Sequence, residues 1–379
     1  MAAGARDDAV PVGIGQKLMA LNWGMVLVIA LVASVGFAML YSAAGGSIEP
    51  WALRQIMRFG MGICLLLVIA LIDIRFWMRW AWPIYGVALA MVVAVEFVGS
   101  TGMGATRWLS FGPINLQPSE IMKIALILVL ARYFHGRSLD ETRRFIWLLP
   151  PLLLIGMPTL LVLKQPDLGT AMLLAAGGSV ILFLAGVRLW KFGFAFVAAL
   201  AALPVGWSQL HDYQKGRILT FLDPERDPLG AGYHILQSKI ALGSGGLAGK
   251  GFLQGTQSHL NFLPEMRTDF IFTMLAEEIG MVGGLGLLLL YAIILTYAYV
   301  IGVRCRHQFG RLLAVGLASN FFLYVFINVG MVTGLLPVVG VPLPLISYGG
   351  TAMLSLLIGF GLILSVSIHR NAEIPRTSN

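Results

Sequence analysis

Ionisable side chains stand at a few positions inside segments that are otherwise almost wholly apolar. Glu120 and Lys123 are one helical turn apart and share a helix face. Asp269, Thr273 and Glu277 recur at intervals of four residues, which predicts one polar stripe along a helix. A charge at the centre of a membrane span costs about 2.5 to 3.5 kcal/mol on insertion scales, so each of these groups needs a partner or a function.

Asp269 offers the clearest chemistry among these groups. It comes directly after Thr268, a good N-cap residue type, at the predicted boundary between a long loop and a helix. The end of that loop also carries Glu265 and Arg267. A carboxylate there would be partly desolvated yet reachable from outside, which is the setting of a general base. The alternative is an acid that only complements the helix dipole.

Three irregular stretches are predicted on the same side as Asp269. They are residues 101–118 with Arg107 and Trp108, residues 164–167, and residues 334–350. Proline-broken backbone at membrane depth is tolerated only when it is buried in protein or lines a cavity. We therefore expect these stretches to meet in one outward-facing pocket. For Glu120 and Lys123, a structural ion pair and a role in that pocket both remain open.

The composition identifies the class of protein that must position these groups. Hydrophobic residues make up 58% of the 379 residues and charged residues 12%, which excludes a soluble enzyme and a disordered chain. Only Cys64 and Cys305 are present, so neither a disulfide framework nor a metal knuckle is expected. The net charge of +8 lacks a compact basic cluster, so nucleic acid is not an expected partner. We expect no cofactor and assign no metal ligands.

The predicted fold is all-α: a single integral membrane domain over residues 1–379, a polytopic bundle of about ten transmembrane helices. The predicted spans are 22–42, 51–72, 76–99, 116–134, 145–163, 168–186, 190–210, 269–301, 310–334 and 343–368. The Lys and Arg residues of the short loops place both termini in the cytoplasm. Residues 211–268 then form a long extracytoplasmic loop between helices 7 and 8, with a short helix over 231–242. Residues 371–379 are predicted to be a disordered cytoplasmic tail.

Several long motifs resemble those of the SEDS family (shape, elongation, division and sporulation), and its elongation branch in particular. The resemblance runs over nearly the whole chain. The motifs are GATRWL at 104–109, QPSE at 117–120, KQPDLGT at 164–170, LPE at 263–265, TDF at 268–270, GLLP at 334–337 and PLISYGG at 344–350. One departure is Arg267, where relatives often have His before TDF.

The resemblance implies a peptidoglycan glycosyltransferase that polymerises lipid II into glycan strands during cell elongation. It implies a class B penicillin-binding protein as partner, together with other membrane proteins of the elongation complex. The implied location is the bacterial inner membrane, with the active site outside the cytoplasm. A lipid II flippase and a non-catalytic scaffold are the competing functions.

The resemblance also implies roles for particular residues. Asp269 matches the aspartate that is regarded as essential in the family. We expect it to be the general base for the acceptor 4-hydroxyl. Glu120 and Lys123 are implied to share its cavity. Lys123 and Arg107 are our candidates for stabilising the charge of the departing phosphate. The residues assigned to substrate binding are Lys123, Glu120, Arg107, Trp108, Glu265 and Arg267.

Overall fold

The computed structural model describes residues 13–102, 105–111, 114–209, 215–216, 219–221, 223, 231–259 and 266–375. Within these residues the chain is a helical bundle, as the sequence predicts. The helices are α1 (Ile14–Met19), α2 (Trp23–Ala43), α3 (Ala52–Leu71), α4 (Ile74–Val98), α5 (Pro118–His135), α6 (Leu139–Thr142), α7 (Leu149–Lys164), α8 (Leu168–Leu184), α9 (Leu189–Gln209), α10 (Ala231–Ser244), α11 (Thr256–His259), α12 (Ile271–Arg304), α13 (Gln308–Val332) and α14 (Gly350–Ile368).

Each of the ten predicted spans contains one of the long helices. Seven helices within the described residues are long and apolar enough to cross a membrane. Two further apolar helices have shorter apolar segments, Leu168–Leu184 in α8 and Leu189–Ala201 in α9. The remaining long helix, α5, carries Glu120, Lys123 and Arg132 in an otherwise apolar sequence.

Two predicted N-terminal boundaries beside the site differ from the structure. The last span was expected from residue 343, but α14 begins at Gly350, because the segment before it contains Pro342 and Pro344 and is irregular. The eighth span was expected from Asp269, but α12 begins at Ile271. In both places the irregular backbone borders the cavity described below.

The stretch 101–118, expected to be irregular, contains a small antiparallel sheet. Its strands are β1 (Ser100–Gly102), β2 (Ala105–Phe111) and β3 (Ile114–Leu116), in the order β1-β2-β3. Leu109 of β2 pairs with Leu116 of β3. The short strands satisfy their backbone groups against one another, so this segment can lie over the end of the bundle.

Helix α5 lies at the centre of the bundle. Almost all of its residues are buried, and it packs against α4, α7, α8, α13 and α14. A helix that is apolar on every side must be enclosed by other elements. Two charged residues of its first turns, Glu120 and Lys123, are therefore held inside protein and not in lipid.

The last helix, α14, packs closely along α3. A Cβ atom on Gly62 would lie 2.3 Å from Leu357 Cδ1, and one on Gly361 would lie 2.9 Å from the Leu66 carbonyl oxygen. Small residues at these positions let the two backbones approach. The Ser365 hydroxyl donates to the Ile72 carbonyl (2.8 Å), so this contact also includes a hydrogen bond at one end of α3.

Helix α12 is interrupted at Gly280, where φ is 75° and ψ is −168°. A glycine-rich loop over residues 245–255 fills the break. Lys250 N donates to the Glu277 carbonyl (3.0 Å), and Met281 N donates to the Gly246 carbonyl (2.9 Å). The loop satisfies the backbone groups that the break releases, which is the condition for irregular backbone inside a membrane protein.

The predicted helix over 231–242 is present as α10, which packs against α12 and α13. The predicted disorder of the tail does not extend to residues 371–375. Ala372 is buried, and its N–H donates to the His369 carbonyl (3.0 Å). Arg75 also donates to the Glu373 carbonyl (3.2 Å). Residues 376–379 lie outside the described residues.

Candidate functional site

A cavity of about 450 Å³ opens at one end of the bundle. Its walls come from β2, α5, α8, α13, the turn before α12, the loop 339–349 and the first turn of α14. Five of the seven residues assigned to the site from the sequence line it. They are Arg107, Trp108, Glu120, Lys123 and Asp269. The three irregular stretches predicted to meet in one pocket each contribute to its lining.

Asp269 lies in a turn that the neighbouring loop holds in place. Tyr348 N (2.9 Å), Ser347 Oγ (2.5 Å) and Asn328 Nδ2 (3.0 Å) donate, in that order, to the carbonyl oxygens of residues 267, 268 and 269. Three consecutive carbonyls are thus fixed from outside the helix. The position of the Asp269 backbone depends on these contacts rather than on helical geometry.

The predicted N-cap at Thr268 is wrong. The N-cap residue of α12 is Phe270, which makes no side-chain capping bond. Residues 266–270 form turns instead, because their carbonyls are bound by the 347–348 segment and by α13. Asp269 therefore precedes the helix and is not part of its first turn.

Gly340 lies beside the carboxylate of Asp269. Its φ of 72° is in the left-handed region that favours glycine. A Cβ atom at this position would lie 3.5 Å from Asp269 Oδ2. The loop therefore passes close to the carboxylate without a side chain between them.

Glu120 and Lys123 form a buried ion pair at the inner wall of the cavity. Lys123 Nζ lies 2.6 Å from Glu120 Oε1, and the two side chains are 2% and 4% exposed. Tyr324 donates to Glu120 Oε2 (2.9 Å) and also receives a hydrogen bond from Lys123. Ser355 Oγ donates to the same carboxylate oxygen (2.9 Å). The carboxylate is thus satisfied by three helices, α5, α13 and α14.

Arg107 lies on β2 opposite the start of α8. Its guanidinium donates to the carbonyls of Gln165 (3.4 Å) and Pro166. It also lies 3.9 Å from the carboxylate of Asp167. The amide of Gln117 donates to the same carboxylate (3.2 Å), while the other carboxylate oxygen of Asp167 accepts from Thr170 N and caps α8. The guanidinium is 25% exposed and is held at the cavity wall.

Of the two remaining predicted residues, the structure describes only Arg267. Arg267 is not among the residues that line the cavity, and its guanidinium lies 5.0 Å from the centre of the Trp51 ring. Glu265 lies outside the described residues. The predicted polar stripe also divides: Thr273 bonds to Ser238 (2.8 Å) in α10, away from the cavity lining.

Glu277 and Glu278 anchor the glycine-rich loop and do not line the cavity. Glu277 Oε1 lies 2.7 Å from Lys250 Nζ and accepts from Gln257 N (2.9 Å). Glu278 accepts from Leu253 N of the loop (3.2 Å) and from Ser42 Oγ on α2 (2.6 Å). Both carboxylates are fully enclosed, so they fix the loop to the interrupted helix.

Two residues of α13, Tyr324 and Asn328, contribute to the site but were not predicted from the sequence. Asn328 donates to the carbonyls of both Asp269 (3.0 Å) and Val341 (2.7 Å), and thereby joins the two segments beside the carboxylate. A signal was present: Asn320, Tyr324 and Asn328 recur every four residues in an apolar span, which indicates a polar face. Gln117, Asp167, Thr170 and Tyr348 also line the cavity.

This arrangement combines a carboxylate with cationic groups in a partly enclosed space. The carboxylate of Asp269 can accept a proton from a hydroxyl, and Arg107 and Lys123 can stabilise negative charge on a neighbouring group. Among the described residues, no three His, Cys, Asp or Glu side chains are grouped so that they could hold a metal ion.

The family model for cell cycle proteins of the FtsW, RodA and SpoVE group matches residues 17–372. The peptidoglycan glycosyltransferase MrdB of Escherichia coli K12 is 47% identical over 347 residues, covering 91% of this chain and 93% of that protein. Stage V sporulation protein E of Bacillus subtilis is 34% identical over 352 residues, covering 90% of this chain and 96% of that protein.

Solved structures also resemble the chain. A chain from a peptidoglycan synthase complex, in which polymerisation and crosslinking are coordinated, superposes with a TM-score of 0.82 at 32% identity. That match covers 94% of this chain and 100% of the other. The rod shape determining protein RodA of Thermus thermophilus superposes with a TM-score of 0.71 at 30% identity, covering 93% and 98%.

Proposed function

Since the chain belongs to the SEDS family, the FtsW, RodA and SpoVE group of cell cycle proteins, we propose that it is a peptidoglycan glycosyltransferase that polymerises lipid II, with Asp269 as general base. MrdB, which carries that enzyme name, aligns over most of the chain. The observation that carries the assignment of the base is the position of Asp269 in a cavity that also contains Arg107 and Lys123.

The reaction joins two lipid-linked sugars. The 4-hydroxyl of the acceptor gives its proton to Asp269 as its oxygen attacks the anomeric carbon of the donor. The bond between that carbon and the pyrophosphate breaks, and the lipid pyrophosphate leaves with the electron pair. A base for the hydroxyl and cations for the leaving group are what this step requires.

The two cations differ in their access to the leaving group. Arg107 is 25% exposed and borders the open part of the cavity, so we assign it direct contact with the pyrophosphate. Lys123 is only 2% exposed and is bound to Glu120 and Tyr324. We assign Lys123 the role of fixing the inner wall and contributing positive potential, with Glu120 holding it in place. Trp108 lines the same cavity and offers an apolar face to the substrate.

The test is glycan-strand formation from lipid II by the purified protein in detergent. Asp269→Asn keeps the shape of the side chain and removes the base, so we expect no product. Asp140→Asn, an exposed aspartate on α6 at the other end of the bundle, is the matched control and should polymerise normally. A flippase or a scaffold would form no strands in either protein, and wild-type product from Asp269→Asn would remove the base from this residue.

We propose a class B penicillin-binding protein as the crosslinking partner. Support comes from the similar chain that is part of a peptidoglycan synthase complex coordinating polymerisation with crosslinking. Association with other elongation-complex membrane proteins is part of the same proposal. Co-purification of the tagged chain with the class B penicillin-binding protein of its own organism tests it, and separate elution of the two proteins would count against it.

The chain is a membrane protein, and we propose that the cavity with Asp269 faces away from the cytoplasm of a bacterial inner membrane. The positive-inside rule supports this orientation with both termini inside. A cysteine at Gln254, in a background without Cys64 and Cys305, should react with an impermeant maleimide in intact spheroplasts. A cysteine at Arg144, at the other end, should react only after lysis. The reverse labelling pattern would invert the orientation.

A further inference from the structure

A second cavity, open and about 620 Å³ in volume, lies at the other end of the bundle from Asp269. Helix α12 begins next to Asp269, and its 34 residues correspond to about 50 Å at 1.5 Å per residue. Arg306, just after the end of that helix, lines the second cavity. The catalytic proposal makes no use of this space.

The charges around the second cavity are unequal. Among the residues that the structure describes, Arg75, Arg306 and Arg311 line it, against one carboxylate, Glu373. Within the described residues neither Arg75 nor Arg311 forms an ion pair. The contact of Arg75 with Glu373 is to the backbone carbonyl (3.2 Å), so it does not pair the guanidinium with a carboxylate. The cavity is therefore suited to an anion.

His307 adds no charge to this wall. Burial lowers the pKa of His307 to about 4, and the nearby Arg311 contributes to the lowering. The neutral ring accepts a hydrogen bond from Gly310 N (2.9 Å) and thereby caps α13. The first turn of α13 adds the positive end of a helix dipole beside the arginines.

Residues 371–375 form part of the cavity wall and are held in place by packing. Arg306 N donates to the Arg370 carbonyl (3.1 Å), and residues 371–375 form one wall. Ala372 is 3% exposed, so this wall is packed onto the bundle. The arginines are consequently presented around a defined space and not along an open surface.

The neighbouring side chains place the cavity at the level of lipid headgroups. Phe76 and Trp80, which follow Arg75 on α4, are 44% and 47% exposed. Exposed aromatic residues beside basic ones are typical of the interface between hydrocarbon and water. A guanidinium group can donate two parallel hydrogen bonds to the oxygens of one phosphate. Basic pockets between membrane helices bind anionic headgroups. We propose that this cavity binds the phosphate of an anionic phospholipid headgroup.

The experiment titrates the purified full-length protein in detergent with phosphatidylglycerol and follows the thermal unfolding midpoint. Phosphatidylcholine and inorganic phosphate are titrated in parallel. The variant is Arg75→Gln with Arg311→Gln, and the matched control is Arg144→Gln with Arg188→Gln. The control removes two exposed arginines from loops at the same end that do not line the cavity.

We expect phosphatidylglycerol to raise the midpoint of the wild-type and control proteins alike. In the cavity variant its apparent affinity should fall about 30-fold, since each arginine near an anionic headgroup contributes about fivefold. Equal responses in variant and control would overturn the site. A full response to phosphatidylcholine or inorganic phosphate would overturn the anionic lipid as its ligand. The comparison of ligands uses wild-type protein, so it decides that point even if the variant does not fold.

Discussion

Removing either partner of the Glu120–Lys123 pair should destabilise the protein strongly. Lys123→Met leaves a carboxylate that is 4% exposed without its cation, and Glu120→Gln leaves an ammonium that is 2% exposed without its anion. Breaking a buried ion pair on one side costs about 3 to 5 kcal/mol. Each single variant should therefore lose about 3 to 5 kcal/mol of the free energy of unfolding.

The double variant should lose much less than the sum of the two. With both charges gone, the hydrogen bonds of Tyr324 and Ser355 to the former carboxylate are weakened, and the hydrogen bond from Lys123 to Tyr324 is lost. Hydrogen bonds to a charged group contribute about 1.5 to 3 kcal/mol each, and a Gln side chain retains part of them. We expect a loss of about 2 to 3 kcal/mol, which gives a coupling energy of at least about 3 kcal/mol.

The assay is reversible unfolding of the four proteins of this cycle in mixed detergent micelles. The pair Arg137 and Glu141, an exposed ion pair at 3.4 Å with side chains 29% and 35% exposed, provides the matched control. Its two variants should be additive, because exposed pairs contribute little. If the Glu120–Lys123 cycle were additive as well, the two charges would be independently stabilised and the pairing argument would fail.

Three further predictions concern the supports of the site and the two ends of the bundle. Asn328→Ala removes two donors beside Asp269 and should lower the polymerisation rate about a hundredfold by displacing the base; a rate within threefold of wild type, measured with lipid II, would exclude a positioning role. Gly249→Ala places a Cβ atom 2.2 Å from a backbone oxygen of the interrupted helix, at φ 79°, and should lower the free energy of unfolding by more than about 2 kcal/mol. Gly246→Ala, at φ 55° with no atom within 4 Å, is the control and should lower it by about 1 kcal/mol. Equal unfolding free energies of the two variants would contradict this prediction. The folded-state pKa of His307, about 4, lies below the unfolded value of 6.5, so the contribution of His307 to the free energy of unfolding is complete above pH 6.5 and is lost as the pH falls towards 4. His307→Asn should remove up to about 3 kcal/mol of this pH dependence of the unfolding free energy. An unchanged slope of that free energy against pH would show that His307 does not titrate there.

Hydropathy predicted the helices well because a membrane span is a simple physical requirement, a run of about 20 apolar residues. Its errors fall where backbone leaves the helix inside the protein. At residues 343–349 and before Ile271, apolar side chains continue while the backbone turns, so composition gives no sign of the change. The three-stranded sheet was also missed, since two of its three strands have only three residues, too few for a clear alternation.

The cavity was predictable as a list of charged residues but not as a geometry. Asp269, Glu120 and Lys123 stand out because ionisable groups are expensive in apolar spans. Arg267 was assigned to the site by its closeness to Asp269 in sequence, yet adjacent residues of a turn point in different directions, and its side chain reaches Trp51. The four-residue spacing of Asn320, Tyr324 and Asn328 indicates a polar face, but it does not show that Asn328 binds the Asp269 carbonyl.

The packing of the last helix against an early one sets the order in which the chain can assemble during synthesis. Tyr324 and Ser355 follow Glu120 by 204 and 235 residues. At about 5 to 20 residues per second, the ribosome needs roughly 10 to 50 s to supply Ser355. Until Tyr324 is made, Glu120 has only its local partner, Lys123, three residues away on the same nascent helix.

The face of α3 that carries Gly62 likewise stays uncovered until α14 emerges. The interior is therefore sealed by the final helix to enter the membrane. A ribosome that stops before Gly350 would release a chain with a charged pair at its centre and no third helix to enclose it. Such a chain would already contain most of the described spans, so this defect arises late in synthesis.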